Sequence, residues 1–167
     1  MGNPTPLNSA QMAKFKPVPQ QGLLDYAPNN SYSVRVATAQ TDNLIPGSAV
    51  KVVDSTMGIT EVIAAAPTDK IKGFVPYEIV KNVYHAGDVL TLALRGSIIW
   101  LAAEAAFNAG TVLEYDNVTD GTKVQVKTWG GVNTPIGTAL TKATAPGDLV
   151  KVELDQLGIS PYVVPSS

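Results

Sequence analysis

The sequence predicts an all-β protein: a small antiparallel β-barrel, or sandwich-like barrel, with a long extended N-terminal arm and at most one short helix. Three observations predict this fold: short β-type segments, turn residues between them, and prolines in the leading segment. Several segments alternate apolar with polar residues, which is typical of a strand with one buried face. Ten short strands broken by turns favour a barrel or sandwich. The predicted strands are residues 31–37, 49–53, 60–64, 71–75, 89–94, 97–101, 112–115, 124–127, 136–143 and 149–154.

The chain of 167 residues is the size of one domain, and we divide it into an arm (1–30), a barrel domain (31–155) and a C-terminal tail (156–167). Prolines in the arm fix φ and lack an amide donor, so neither a helix nor a central strand continues through them. The arm also carries Phe15, Leu23, Leu24 and Tyr26, whereas disordered tails are poor in large apolar side chains. We therefore expect an arm that lies along a neighbouring surface, with a disordered tail as the alternative.

An Asp-Gly pair at residues 120–121 predicts the register of one hairpin, because a type I′ turn needs a positive φ at both central positions. With this pair as a two-residue loop, Tyr115 lies opposite Val126 and Glu114 lies opposite Lys127. Apolar side chains then collect on one face and charged ones on the other. A shift of one residue would mix the two faces, so this register is favoured.

A second hairpin is predicted from residues 89–94 and 97–101 around Arg95-Gly96. It is apolar on both faces, with Ile98 and Trp100 on the face opposite the leucines. Such a strand is either central within its own sheet or covered by another chain, and both interpretations stay open. Residues 102–108 (AAEAAFN) form the single candidate helix, of two turns at most.

A glycine turn recurs four times, and each copy leads directly into a predicted strand. Proline followed by glycine suits the two central positions of a type II turn, where the second residue takes a positive φ. The spacing between the glycines is irregular, which excludes a solenoid or propeller. We expect reused turns within one barrel. The four copies are Pro46-Gly47-Ser48, Ala86-Gly87-Asp88, Ala109-Gly110-Thr111 and Pro146-Gly147-Asp148.

The composition provides few side chains that could catalyse a reaction or bind a metal ion. Cysteine is absent and His85 is the sole histidine, which excludes disulfides, thiolate metal sites and multi-histidine sites. Charged residues make up 16% of the chain and the formal net charge is −2, so no direct nucleic-acid binding is expected. Neither a signal peptide nor a membrane span is predicted.

Two constellations resemble functional sites, and each has a simpler explanation. His85 lies three residues before Asp88, but this spacing is more typical of an Asp that caps a turn than of a catalytic pair. Residues 116–121 (DNVTDG) are superficially similar to a calcium loop, yet the predicted hairpin explains the same residues. We predict no catalytic residue, no metal and no cofactor, and hence no enzyme.

Four segments resemble the head decoration, or capsid cement, proteins of tailed bacteriophages. They are KGFV (72–75), AGDVLTLALRGSIIWLAA (86–103), NAGTVLEYD (108–116) and PIGTALTKATAPGDLVKVEL (135–154). The resemblance covers about two-thirds of the chain and consists of turns and strands, not of a catalytic signature. It implies a small β-barrel with an extended arm and a non-enzymatic structural role on the outer surface of the virion capsid, where the protein would bridge adjacent capsomers.

The partners that the resemblance implies are the major capsid protein and further copies of this chain, which we expect to form a trimer. Because an oligomer would bind several symmetry-related sites of the capsid at once, individually weak contacts would add up to a high avidity. We expect the arm and the apolar hairpin to supply the residues that contact these partners. They are Phe15, Leu23, Leu24, Tyr26, Ile98 and Trp100. The alternative function is a small-molecule or carbohydrate-binding barrel that uses Trp100, Trp129 and nearby tyrosines as a stacking platform.

Overall fold

The computed structural model describes residues 19–27, 32–53, 58–117 and 124–158, and these residues form an all-β fold without a helix. The predicted fold class is confirmed, but the candidate helix over residues 102–108 is wrong. Ala102 and Ala103 are the last residues of a strand and both are buried, because the strands Leu149–Glu153 and Val124–Thr128 pair with it at these positions. The strands are β1 (Leu24–Tyr26), β2 (Ser33–Val36), β3 (Ala49–Val53), β4 (Glu61–Ala64), β5 (Gly73–Phe74), β6 (Val89–Thr91), β7 (Ile98–Ala103), β8 (Val112–Asn117), β9 (Val124–Thr128), β10 (Pro135–Ala139) and β11 (Leu149–Glu153).

The strands build two units. Strands β7 to β11 form a closed ring in the order β7-β11-β10-β8-β9, which we call the C-terminal barrel; β1 adds to the outside of this ring at β7. Strands β2 to β6 form a sheet in the order β5-β3-β4-β2-β6, which we call the N-terminal half-barrel. Its two edges meet at one bridge, where the amides and carbonyls of Phe74 and Ala93 exchange hydrogen bonds of 3.0 and 2.9 Å.

The two units share one topology. In each, the first and third strands pair in parallel (β2 with β4, β7 with β9), and the other neighbours are antiparallel. The isolated bridges correspond as well: Leu44 pairs with Tyr84 in the half-barrel, and Phe107 pairs with Ala143 in the barrel. The turns that the sequence placed within one barrel therefore lie at equivalent positions of two similar units.

Six glycine turns of one geometry introduce strands in the described residues. Each glycine has a positive φ of 79–88°, and the residue after it donates its N–H to the carbonyl two residues before the glycine, at 3.0–3.3 Å. The glycine's own N–H donates to a carbonyl of another segment at 2.7–3.0 Å. The predicted type II geometry is thus confirmed at four glycines, and two further turns share it. The glycines are Gly22, Gly47, Gly87, Gly96, Gly110 and Gly147.

One cluster of buried side chains, which includes Val34, Val36 and Val50, fills the half-barrel. A larger cluster fills the C-terminal barrel and extends into the other unit. It includes Ala49 and Phe74, which lie on the outer wall of the half-barrel because their neighbours along the strands point into its core. The Phe74 and Tyr115 rings meet edge to face, with centroids 6.0 Å apart. The outer wall of the half-barrel therefore closes one end of the C-terminal barrel.

The hairpin register predicted from Asp120-Gly121 is confirmed. Tyr115 pairs with Val126 and Glu114 with Lys127, and the register is unbroken from Leu113 to Asn117. The turn itself, at residues 118–123, lies outside the described residues. Apolar side chains face the core as expected, and the Lys127 ammonium lies 2.7 Å from a carboxylate oxygen of Asp116 and 3.7 Å from one of Glu114.

The second predicted hairpin is wrong. Strand β6 pairs with β2 in the half-barrel, whereas β7 pairs with β1, β11 and β9 in the C-terminal sheet. Arg95-Gly96 connects the two units instead. Gly96 takes the type II form already described, and turns of this form splay strands that a primed turn would hold together.

Residues 20–23 bind both units. The Gly22 N–H donates to the Trp100 carbonyl of the C-terminal barrel at 2.7 Å, and the Gly22 carbonyl accepts from the Tyr77 N–H of the half-barrel at 2.7 Å. A Cβ at Gly22 would lie 2.7 Å from the Pro46 Cβ and 2.8 Å from the Gly47 nitrogen. Glycine is required here both by its φ and by this close approach.

We predict that Gly137→Ala destabilises the protein by about 3 kcal/mol, because the new Cβ would overlap the Glu153 carbonyl group at the pairing of β10 with β11. Gly130→Ala is the control, since a Cβ there meets nothing within 4 Å; its effect should stay within about 0.5 kcal/mol. Urea unfolding measures both. Equal stability of the two variants would contradict the close packing of Gly137 against the Glu153 carbonyl group.

We also predict that Gly22→Ala is more destabilising than Gly87→Ala by at least about 1 kcal/mol. Both glycines have a positive φ, of 79° and 88°, so the backbone cost of alanine is shared. Only Gly22 has close neighbours, while a Cβ at Gly87 meets nothing within 4 Å. Thermal unfolding of the two variants tests this, and identical melting temperatures would show that residues 20–23 do not hold the units together.

Candidate partner-binding surfaces

The described part of the predicted arm lies on its own chain. Leu24 pairs with Ile99 of β7, is half-buried, and packs against the core of the C-terminal barrel. Leu23 is half-buried, and its carbonyl accepts the Trp100 N–H at 2.9 Å. Tyr26, at the end of β1, is 57% exposed. Among the arm residues nominated from the sequence, Tyr26 is therefore the one that the structure leaves open to a partner, while Phe15 lies outside the described residues.

Ile98 and Trp100 lie on the outer face of β7. Both are half-buried, because β1 and β11 flank them, whereas Ile99 and Leu101 between and beyond them face the core. The Lys151 ammonium lies 5.4 Å from the Trp100 ring centroid and 2.9 Å from a carboxylate oxygen of Asp25. The apolar outer face of β7 is thus partly covered by its own chain.

The structure also exposes an apolar pair that the sequence analysis did not nominate. Ile79 and Val80 are 92% and 98% exposed, in the connection between β5 and β6. This connection, which we call the 76–83 loop, has a shorter counterpart: nine positions separate Val75 from Tyr84, but four separate the equivalent residues of the C-terminal barrel, 139 and 143. The half-barrel therefore has a longer loop with two uncovered aliphatic side chains at its tip.

The base of the 76–83 loop is fixed. The Lys81 ammonium lies 2.8 Å from a carboxylate oxygen of Asp88 and 5.4 Å from the Tyr84 ring centroid. Burial raises the pKa of Tyr84 to about 12, with the Glu78 carboxylate acting in the same direction. A signal for the loop was present in the sequence, since an Ile-Val pair between two predicted strands has no predicted core to enter.

Trp129 is 37% exposed, but its indole N–H donates to the Asn133 carbonyl at 2.7 Å. The loop around it is tied to Glu114, which is buried and accepts from the Gly130 N–H and the Asn133 amide, each at 3.1 Å. With its N–H engaged, Trp129 offers a ligand a stacking face only. A cavity of about 650 Å³ lies elsewhere, and none of the described residues that line it is aromatic.

His85 and Asp88 do not form a catalytic pair. The Asp88 carboxylate accepts the backbone N–H of His85 at 2.7 Å, as expected of a turn cap, while the His85 Nδ1 lies 2.6 Å from the Asn43 side-chain oxygen. A hydrogen bond from Lys81 is the largest cause that lowers the pKa of Asp88. The carboxylate therefore orients a backbone amide, not the imidazole.

Three carboxyl groups surround one lysine on the polar face of β8 and β9. Burial is the largest cause that raises the pKa of Glu104, and Asp116 adds to it; a hydrogen bond to Asp116 raises the pKa of Lys127. The single ammonium offsets only one of the three negative charges that the carboxyl groups carry when all are ionised. Within the ranges that the structure describes, no set of three His, Cys, Asp or Glu side chains could hold a metal ion. Those ranges also contain no helix that is long and apolar enough to cross a membrane.

Comparison with known proteins gives a match to a family model and a similarity to a solved structure. Residues 17–154 match the family model of the XM1 gp53 minor capsid protein. No curated protein matches the chain. Among solved structures, the head fiber gp8.5 N base of bacteriophage phi29 is similar, with 16% identity and a TM-score of 0.46 over 78% of this chain and 98% of that one. Because the family match covers most of its length, the chain belongs to the XM1 gp53 minor capsid protein family and is a structural protein associated with phage capsids.

Proposed function

We propose that the protein is a non-enzymatic decoration protein that binds the outer surface of the capsid and bridges adjacent capsomers. The observation that carries the proposal is the exposed Ile79-Val80 pair at the tip of the 76–83 loop. An uncovered aliphatic pair on an anchored loop is a feature that a protein partner buries. The family gives the partner class, which is a capsid component, and the major capsid protein is the specific partner that we propose.

The net charge of the chain supports a location on the outer surface of the capsid. The chain has 12 basic and 14 acidic side chains and a formal net charge of −2. The inner surface of a filled shell faces packaged DNA, whose phosphates attract clustered cations and repel an acidic protein. An acidic protein with few charges is better suited to the outside of the shell.

Two separate exposed surfaces support the proposal that the protein bridges adjacent capsomers. The 76–83 loop extends from the half-barrel. On the C-terminal barrel, Tyr26 lies in β1, and Ile98 and Trp100 lie on the outer face of β7. Residues 1–18, which include Phe15, precede β1 and are the remaining segment of the proposed arm. A protein with separate contact surfaces on two rigid units can bind two neighbouring capsomers at once, or a capsomer and a second copy of itself.

We propose a homo-oligomer, with a trimer as the expected state. An oligomer at a local symmetry axis repeats each modest contact, which multiplies its affinity for a symmetric shell. Catalysis is not part of the proposal: Asp88, the acid nearest His85 in the sequence, caps a turn, and Lys127 is held in ion pairs.

The test is cosedimentation with DNA-free shells of the same phage. We predict that Ile79→Asp with Val80→Asp weakens binding by roughly tenfold or more, because two carboxylates replace the proposed hot spot. Val132→Asp is the matched control, since Val132 is 86% exposed on a different loop, and it should bind like the unchanged protein.

Unchanged binding of the Ile79/Val80 variant would remove the 76–83 loop from the interface. Equal losses in both variants would indicate general apolar adsorption. Melting temperatures of all three proteins should agree, because the substituted side chains are almost fully exposed.

A further inference from the structure

Strand β6 is an edge of the half-barrel sheet, and its backbone groups alternate between two sides. Among the strands that the structure describes, it pairs with β2 alone. On that side, the Leu92 N–H donates to the Tyr32 carbonyl at 3.2 Å. Successive residues of an antiparallel strand direct their amides and carbonyls to opposite sides. The amides and carbonyls of Val89 and Thr91 therefore point away from β2, toward the edge of the sheet.

The C-terminal barrel shows what closes the equivalent edge. The bridge between Phe74 and Ala93 closes the half-barrel where the pairing of Thr138 with Glu153 closes the C-terminal barrel. In each unit, the glycine before the first of these residues lies against the carbonyl of the second. The residues two positions after the first member and two positions before the second therefore correspond as well.

At these corresponding positions the two units differ. In the C-terminal barrel, the Leu140 N–H donates to the Lys151 carbonyl at 2.8 Å. The equivalent residues of the half-barrel are Pro76 and Thr91. Proline has no N–H to donate, and the next amide along the chain donates to the Gly22 carbonyl instead, at 2.7 Å. The chain thus leaves the closure of the half-barrel at Pro76 and enters the 76–83 loop.

The edge of β6 that results has no backbone partner within the described ranges. There, neither the amide nor the carbonyl of Val89 or Thr91 bonds to another residue, and the Val89 side chain is 63% exposed. A row of unpaired amides and carbonyls is a template for a further strand. Natural edges are often protected by charged side chains or by proline, and neither Val89 nor Thr91 provides such protection.

This edge lies beside the exposed tip of the 76–83 loop. The Lys81 ammonium lies 2.8 Å from a carboxylate oxygen of Asp88. Lys81 directly follows Val80, and Asp88 directly precedes Val89. Both valines are exposed, so a partner that buries the tip of the loop also reaches the edge of β6.

We propose that an extended segment of the capsid protein pairs with β6 at Val89 and Thr91, as an added strand of the half-barrel sheet. The inference rests on the proposed function, which supplies the partner. The ligands at this edge are two amides and two carbonyls, so it recognises an extended backbone rather than a particular side chain. The added strand takes the place that the chain at Leu140 takes in the C-terminal barrel.

Amide hydrogen exchange of the free, full-length protein, measured by NMR, tests whether the edge is available. We expect the amides of Val89 and Thr91 to exchange at least about tenfold faster than the Leu92 amide, because only the last is bonded to β2. Equal protection of all three amides would overturn the proposal, since the edge would then be occupied by the same chain or by a second copy.

The same measurement on protein bound to DNA-free shells of the same phage tests the added strand. Exchange is allowed to proceed on the shell, and the protein is then dissociated for NMR. We expect the Val89 and Thr91 amides to exchange at least about tenfold more slowly than in the free protein. Cosedimentation without this change would overturn the strand pairing and leave the proposed function standing. No cosedimentation at all would overturn both.

The variant Thr91→Pro removes one edge amide. The amide faces away from β2, and the preceding residue lies in a strand, which is the conformation that proline favours before it. We expect roughly tenfold weaker cosedimentation with shells and a melting temperature within about 4 °C of the unchanged protein.

The matched control is Thr91→Val, which keeps both the amide and the shape of the side chain and should bind like the unchanged protein. Equal binding by the proline and valine variants, whether full or reduced, would overturn a role for the backbone of β6. The exchange measurements use the unchanged protein and do not depend on the folding of either variant.

Discussion

The packing of one unit's outer wall against the end of the other determines the shape of this protein. Phe74 projects from the half-barrel onto Tyr115, and Ala49, Ala65 and Ala93 lie in the same buried cluster as the interior of the C-terminal barrel. The alanines allow close approach, and the aromatic pair fills the remaining space. Burial raises the pKa of Tyr115 to about 12, which agrees with its enclosure. This contact is apolar and continuous with the core of the C-terminal barrel.

The glycine turns make this arrangement possible within a short chain. Each of the six turns introduces a strand and uses the glycine amide to bind a carbonyl of another segment. Side-chain oxygens complete several of them: Asp148 accepts the Thr144 and Ala145 amides, as Asp88 accepts that of His85. Hydrogen bonds are thus satisfied at the start of these strands without longer loops. The same turn at Gly96 connects the two units rather than two neighbouring strands.

Local patterns predicted the local structure, and long-range pairing could not be predicted from them. The register of β8 with β9 follows from an Asp-Gly turn and from alternation, both of which are visible within fifteen residues of sequence. The partner of β6 is β2, more than fifty residues earlier, and no local signal indicates this pairing. The repeated topology was hidden because the two units share turns and register but little sequence. Leu23 and Leu24 were assigned to an arm because prolines surround them, whereas in the structure they lie against β7. Ile79 and Val80 were passed over because they belong to no strand.

The family match identifies a structural protein associated with the phage capsid. In the function that we propose, the two units bind neighbouring subunits of the shell through their separate exposed side chains. The most direct measurement is a cryo-electron microscopy reconstruction of DNA-free shells saturated with the protein. The account predicts density on the outer surface that spans two capsomers, with the tip of the 76–83 loop in contact with the shell. Density inside the shell, or on a single capsomer with that loop in solvent, would contradict it.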